Sequence, residues 1–148
     1  MGPLAWLVAI LLFASTPPGP AMDSHCRVNG LLPDGACTPG AVQTTDVRVI
    51  CGSSTRGRRL VSRELRRRVF ADYGLSPRQP PGEYEIDHLV PLELGGSNAI
   101  TNLWPQAAPG FHDKDQVENT LHARVCSGAM TPGDAQRAIA ADWRTAAQ

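Results

Sequence analysis

The chain has 148 residues, 42% of them hydrophobic, and its 14 basic and 14 acidic residues cancel to a formal net charge of zero. That length suits one domain of ordinary size. The balance excludes attraction to a polyanion through net charge alone, so any such attraction must come from local partition of charge.

Residues 4–14, LAWLVAILLFA, form an unbroken apolar run. Its length is that of a signal-peptide core and too short for a bilayer-crossing helix. Gly19 and Ala21 supply small residues for cleavage after Ala21, with cleavage after Ala14 as the alternative. The run is preceded by no Lys or Arg, so a retained N-terminal anchor is the rival reading. No later segment is apolar enough to span a membrane. The expected organisation is a signal peptide over 1–21, an irregular disulfide-stapled segment over 22–58 and a folded domain over 59–148. The mature protein is expected to be secreted or periplasmic and free of the membrane.

Residues 22–58 carry Gly30, Pro33, Gly35, Pro39, Gly40, Gly52 and Gly57, with one short strand expected at Val47–Ile50. All four cysteines, Cys26, Cys37, Cys51 and Cys126, follow the expected cleavage site. An even count in an exported chain reads as two disulfides. Of the three pairings, Cys26–Cys37 with Cys51–Cys126 is preferred. The first closes a small loop and the second ties the segment to a later helix. A zinc site is the competing reading, weakened by the absence of any C-x-x-C pair.

Ser62 to Tyr73 reads as a helix, with Val61, Leu65, Val69, Phe70 and Tyr73 in one apolar stripe, Ser62 as N-cap and Gly74 just past the end. Its arginines form either a DNA-backbone surface or a solvated face. Tyr84 to Val90 alternates as a strand, Gly95-Gly96 marks a turn, and Ile100 to Trp104 is the expected second strand. Phe111 to Cys126 is a second helix, with Val117, Leu121 and Val125 at i, i+4 and i+8. A last helix starts at Thr131 as N-cap and Pro132 at N1, and turns Ala135, Ile139 and Trp143 to one side. Trp104 and Trp143 read as core aromatics, His25 and His122 as bystanders and Asn98 as a turn residue, while Glu93, either a support to the site or a solvated residue, is left unassigned.

Charge is partitioned along this order. Arg48 to Arg78 holds nine arginines against Glu64 and Asp72, near +7. Gln79 to Glu118 holds Lys114 against Glu83, Glu85, Asp87, Glu93, Asp113, Asp115 and Glu118, near −6. A basic face beside an acidic pocket suits a protein that grips phosphates and holds a divalent cation. Mutual neutralisation across the fold is the alternative.

The stretch YEIDHLVPLELGGSNAITNLWPQ, followed by FHDKD, carries the chemistry. Phosphodiester hydrolysis needs a water deprotonated near neutral pH, which suits an imidazole. It also needs charge neutralised on the phosphate and the leaving oxygen, which suits one Mg²⁺-type ion with few protein ligands. Asp87 and His112 could supply those ligands. Strand parity points Asp87 and His88 to opposite faces, so the strand end must bring both to one site.

These residues resemble the HNH, or His-Me finger, nuclease motif. DHLVPLELGG is similar to the D-H-x-x-P-x-x-x-G-G opening of such enzymes, and Asn102-Leu103 to their Asn-Leu step. The resemblance spans about thirty residues and extends to small exported bacterial proteins carrying DHLVPLELGGSN and NLWPQ. It implies an α+β fold with a ββα-metal hairpin-plus-helix core, flanking helices and one divalent ion. Mg²⁺ is the first choice, with Mn²⁺, Ni²⁺ and Zn²⁺ as alternatives. Carried over by position, His88 is the general base, Asn102 orients it, and Asp87 and His112 bind the metal. The helix reads His-Asp-Lys-Asp rather than the commoner C-N-x-x-K, so Asp113, Asp115 and Asn119 compete with His112, and Lys114 is assigned to substrate phosphate. Arg58, Arg59 and Arg66 are the other expected phosphate contacts. The implied activity is exported, metal-dependent cleavage of DNA, with RNA as a further substrate and little sequence preference. The alternatives are a non-catalytic envelope or extracellular binding protein on the same scaffold, or a toxin with an immunity-protein partner.

Overall fold

In the computed structural model, which describes residues 25–52, 54, 55 and 58–148, the chain forms four α-helices and one two-stranded antiparallel sheet. The class is α+β, as expected. The expected signal segment lies outside the described residues. No helix among the described residues is long and apolar enough to cross a membrane.

Helix α1 (Val47–Gly52) replaces the strand expected at Val47–Ile50. Asp46 decides this. Its carboxylate accepts the Arg48 N–H at 2.9 Å, and its carbonyl accepts those of Val49 and Ile50, starting a turn. Ile50 is buried whereas Val47 and Val49 stay exposed, so the apparent β-branched alternation was never a buried sheet face. Helix α2 (Arg63–Asp72) begins where Ser62 Oγ accepts the Leu65 N–H and ends before Gly74 at φ +67°.

Strand β1 (Tyr84–His88) pairs with β2 (Leu103–Ala107), with Ile86 opposite Pro105, Asp87 opposite Trp104 and His88 opposite Leu103. Paired residues share a face. Ile86 and Leu103 pack with Val69 and Phe70 of α2. Trp104, on the other face, packs with Leu121 and Val125 of helix α3 (Gly110–Cys126) and with Ile139 and Trp143 at helix α4 (Pro132–Asp142). The hairpin is thus covered on both sides. Residues 25–52 pack onto the same body: Thr38 Oγ1 donates to the Leu103 carbonyl at 3.1 Å, and Trp143 Nε1 donates to the Leu31 carbonyl at 2.8 Å. Both disulfides, Cys26–Cys37 and Cys51–Cys126, are formed.

Both strands differ from expectation at the connecting loop. β1 stops at His88 rather than Val90, and Ile100–Asn102 is a 3-10 turn rather than the start of β2. Asn102 is the reason. Fully buried, it accepts the N–H groups of Val90 (2.9 Å) and Ala41 (3.2 Å) on Oδ1 and donates to the carbonyls of Val90 (2.8 Å) and Ser97 (2.9 Å). One side chain replaces the strand ladder with its own bonds. Gly95 and Gly96 complete the loop, because a Cβ at either would clash with the carbonyl of Thr44 or Val90.

Asn102→Ala should destabilise the protein by at least about 3 kcal/mol, because several buried backbone groups lose their partner together. Urea denaturation measures this. A loss below about 1 kcal/mol would mean the loop is held by other contacts.

Candidate functional site

A cleft of about 310 Å³ opens at the end of β1, lined by Arg59, Glu85, Asp87, His88, Glu93, Asp115 and Glu118 among others. Strand parity does separate Asp87 from His88. Both still reach the cleft because it opens where the strand ends, between the hairpin and α3.

His88 is only 4% exposed. Its Nε2 lies 3.0 Å from Asn98 Oδ1. The same Oδ1 accepts the Leu60 N–H at 3.0 Å, and Asn98 Nδ2 donates to the Arg58 carbonyl at 2.8 Å. These two backbone bonds assign the amide orientation, so Oδ1 faces the ring and Nε2 must carry the proton. The Nδ1 lone pair is left without a protein partner among the described residues. Burial pushes the imidazole below its ordinary pKa of 6.5. The Asn98 bond opposes that, and the Arg59 charge reinforces it. At neutral pH the ring is a neutral base.

Lys114 lies beneath the cleft, 1% exposed. Its ammonium donates to the His88 carbonyl at 2.7 Å and to Glu118 one turn along α3. Asp87 Oδ2 lies 2.8 Å away as an ion pair, off the direction of an aligned hydrogen bond. Burial alone would push the lysine pKa down, but the Asp87 and Glu118 carboxylates outweigh it and hold the group charged. Glu118 is pushed up to about 7 by burial, with Lys114 opposing and Asp87 adding to the rise. Burial also raises Glu93.

Lys114 was expected at substrate phosphate. That assignment is corrected: the ammonium is shut from solvent and held by three protein acceptors, so no phosphate can reach it. Arg59 does line the cleft, donating to Glu85 Oε1 (2.8 Å) and to the Ile86 carbonyl (2.5 Å). Arg58 offers its carbonyl to Asn98, and Arg66 lies on α2 over the Phe70 ring. Asn102 hydrogen-bonds loop backbone; the amide on the His88 ring is that of Asn98, read in the sequence as a turn residue. His112 is exposed against Phe111 and is not part of the cleft lining. Glu93 and Glu118 are site residues the sequence reading left unassigned. The Lys114–Glu118 spacing of one helical turn was the available signal for the second.

Asp87, His88 and His112 do not converge as a metal centre. Among the described residues, the groups of three or more His, Cys, Asp or Glu with ligand atoms within 4.8 Å are His25–Cys26–Cys37 and Cys51–His122–Cys126. The cleft nevertheless presents carboxylates at Glu93, Asp115, Asp87 and Glu118 beside an imidazole. Oxygen donors of this class suit a hard divalent ion, but among the described residues no three of them bring ligand atoms within 4.8 Å of one another.

Lys114→Met should cost about 3–5 kcal/mol in urea denaturation, because two carboxylates lose their buried cation. Glu118 binds its proton more tightly folded than unfolded. Its contribution to stability is therefore complete below pH 4.5 and declines as pH rises through about 7. Glu118→Gln should remove that part of the decline. An unchanged slope of stability against pH would show that Glu118 titrates normally. Comparison of the chain with protein-family models, curated proteins and solved structures finds no match in any of the three.

Proposed function

We propose that the protein is an exported, metal-dependent endonuclease of HNH type, hydrolysing phosphodiester bonds of DNA, and also of RNA, with little sequence preference. In this reading β1, β2 and α3 are its ββα core. The observation that carries it is His88: a buried imidazole that lines a carboxylate-rich cleft, with its Nε2–H bound to Asn98, which leaves Nδ1 as the basic atom. Nδ1 takes a proton from water, and the imidazolium then donates through Nε2 to Asn98 while the Asp87 charge nearby favours it. Arg59 exchanges Glu85 for a phosphate oxygen, a pairing its guanidinium geometry suits. Five carboxylates line the cleft, so a phosphodiester enters only with a neutralising cation. Glu93, Asp115 and Asp87 would hold a Mg²⁺-type ion that supplies positive charge against the phosphate and the leaving oxygen. Export accords with the two disulfides, which suit an oxidising compartment.

One observation favours the non-catalytic reading: Asp87 already has a cation, Lys114. Plasmid cleavage by the oxidised protein discriminates. Activity is expected with Mg²⁺ or Mn²⁺, to be abolished by EDTA, and to fall about 10²–10⁴-fold in His88→Gln. The rate should drop on the acid side of pH 6.5, where the imidazole charges, and Asn98→Asp should move that limb to higher pH by stabilising the imidazolium. Cleavage that survives His88→Gln would defeat the assignment. No cleavage with any divalent ion would leave the binding protein.

A further inference from the structure

The Cys51–Cys126 disulfide has a third group beside it that the cleft chemistry does not use. His122 stands one helical turn before Cys126 on α3, so the two share a face, and Cys51 comes from the last turn of α1. His122 Nε2 lies 3.6 Å from Cys126 Sγ and 3.2 Å from the Ile50 carbonyl. One ligand atom from each of the three residues falls within 4.8 Å of the other two. Both cysteines are exposed and His122 is half-buried, so a reductant and a metal ion can approach from solvent.

We propose that Cys51, Cys126 and His122 form a zinc site in the reduced protein, so that one tether between α1 and α3 exists in two chemical forms. Opening it takes two electrons and two protons from a thiol reductant. The S–S bond breaks, two thiols form, and two reductant thiols become a disulfide. Zinc then displaces the two thiol protons and takes two thiolates. The third ligand is His122 Nε2 with its proton on Nδ1, which gives up the bond to the Ile50 carbonyl. Two thiolates about 2.3 Å from a tetrahedral zinc lie about 3.8 Å apart, under 2 Å wider than a disulfide. Side-chain rotation at two exposed cysteines absorbs that change. The fourth position stays open to water. This pairing of soft thiolates with an imidazole selects zinc over the hard ions expected in the carboxylate cleft, and the proposal is independent of that cleft's activity.

The tether has a purpose in either form. Helix α1 leads into the segment whose Arg58 carbonyl and Leu60 N–H hold Asn98 against His88. A metal clamp keeps that segment docked where the disulfide is reduced.

The test is zinc retained per chain after desalting, read by atomic emission, for oxidised and reduced full-length protein and for His122→Gln. Cys26, Cys37 and His25 form a second group of the same make-up, so the site is read as a difference. Reduced wild type should hold more zinc than oxidised wild type, and reduced His122→Gln about one equivalent less than reduced wild type. The variant retains both cysteines, so its oxidised form should keep the disulfide and the wild-type circular dichroism. If the reduced chain loses helix, zinc should restore it in wild type and restore less in the variant. Equal zinc in reduced wild type and His122→Gln would overturn the proposal. So would reduced protein that holds no more zinc than oxidised, or lost helix that zinc does not recover.

Discussion

A single ammonium holds the end of the hairpin to the helix beneath it. Lys114 is one of the most buried side chains in the protein, and it reaches the His88 carbonyl, Asp87 and Glu118 together. A lone charge at that depth would be prohibitively unfavourable. Three acceptors make it tolerable, and their own charges are in turn tolerable only because the lysine is there. The mutual dependence ties α3 to the end of the hairpin and fixes which way the His88 carbonyl faces. Glu118, raised to about 7 chiefly by burial, with the Asp87 charge adding to the rise, marks the cost of holding that carboxylate out of water.

Two asparagines divide the work above that anchor. Asn102 uses its whole amide on backbone and shapes the loop that leaves β1. Asn98 uses its amide on both sides of the cleft, gripping the segment at Arg58 and Leu60 and presenting the same oxygen to His88. The imidazole proton is therefore assigned by backbone geometry well away from the ring. Through this link the Gly/Pro-rich region that reads as irregular becomes a wall of the cleft, and the Cys51–Cys126 bridge secures it from below.

Much of this was legible locally. Capping chemistry at Ser62 and Thr131, apolar spacing along α2, α3 and α4, the turn at Gly95-Gly96 and the Cys26–Cys37 loop all depend on neighbours or on simple closure, and all appear in the structure. The strand misread at Val47–Ile50 shows the limit. Two exposed valines imitate sheet alternation when nothing reveals that only Ile50 is buried. The roles of Asn98 and Asn102 were equally out of reach. Asn98 reads as a turn residue and Asn102 falls in the expected second strand, and only the path of residues 41 and 58–60 decides which backbone groups meet which amide.

Residue order alone was enough to establish the mixed class, the starts of α2, α3 and α4, and a short acidic and imidazole-bearing segment at a strand end. Those features follow from contacts close along the chain, where spacing and residue type carry the physics. Folding alone decided that Lys114 sits inside rather than out, that His112 stays outside the cleft while Glu93, Asp115 and Glu118 line it, and that His88 keeps its lone pair on Nδ1. Each of those outcomes depends on burial and on partners distant in sequence. The free energy of a charge or a proton is set by the groups packed around it, and a linear pattern does not contain that environment.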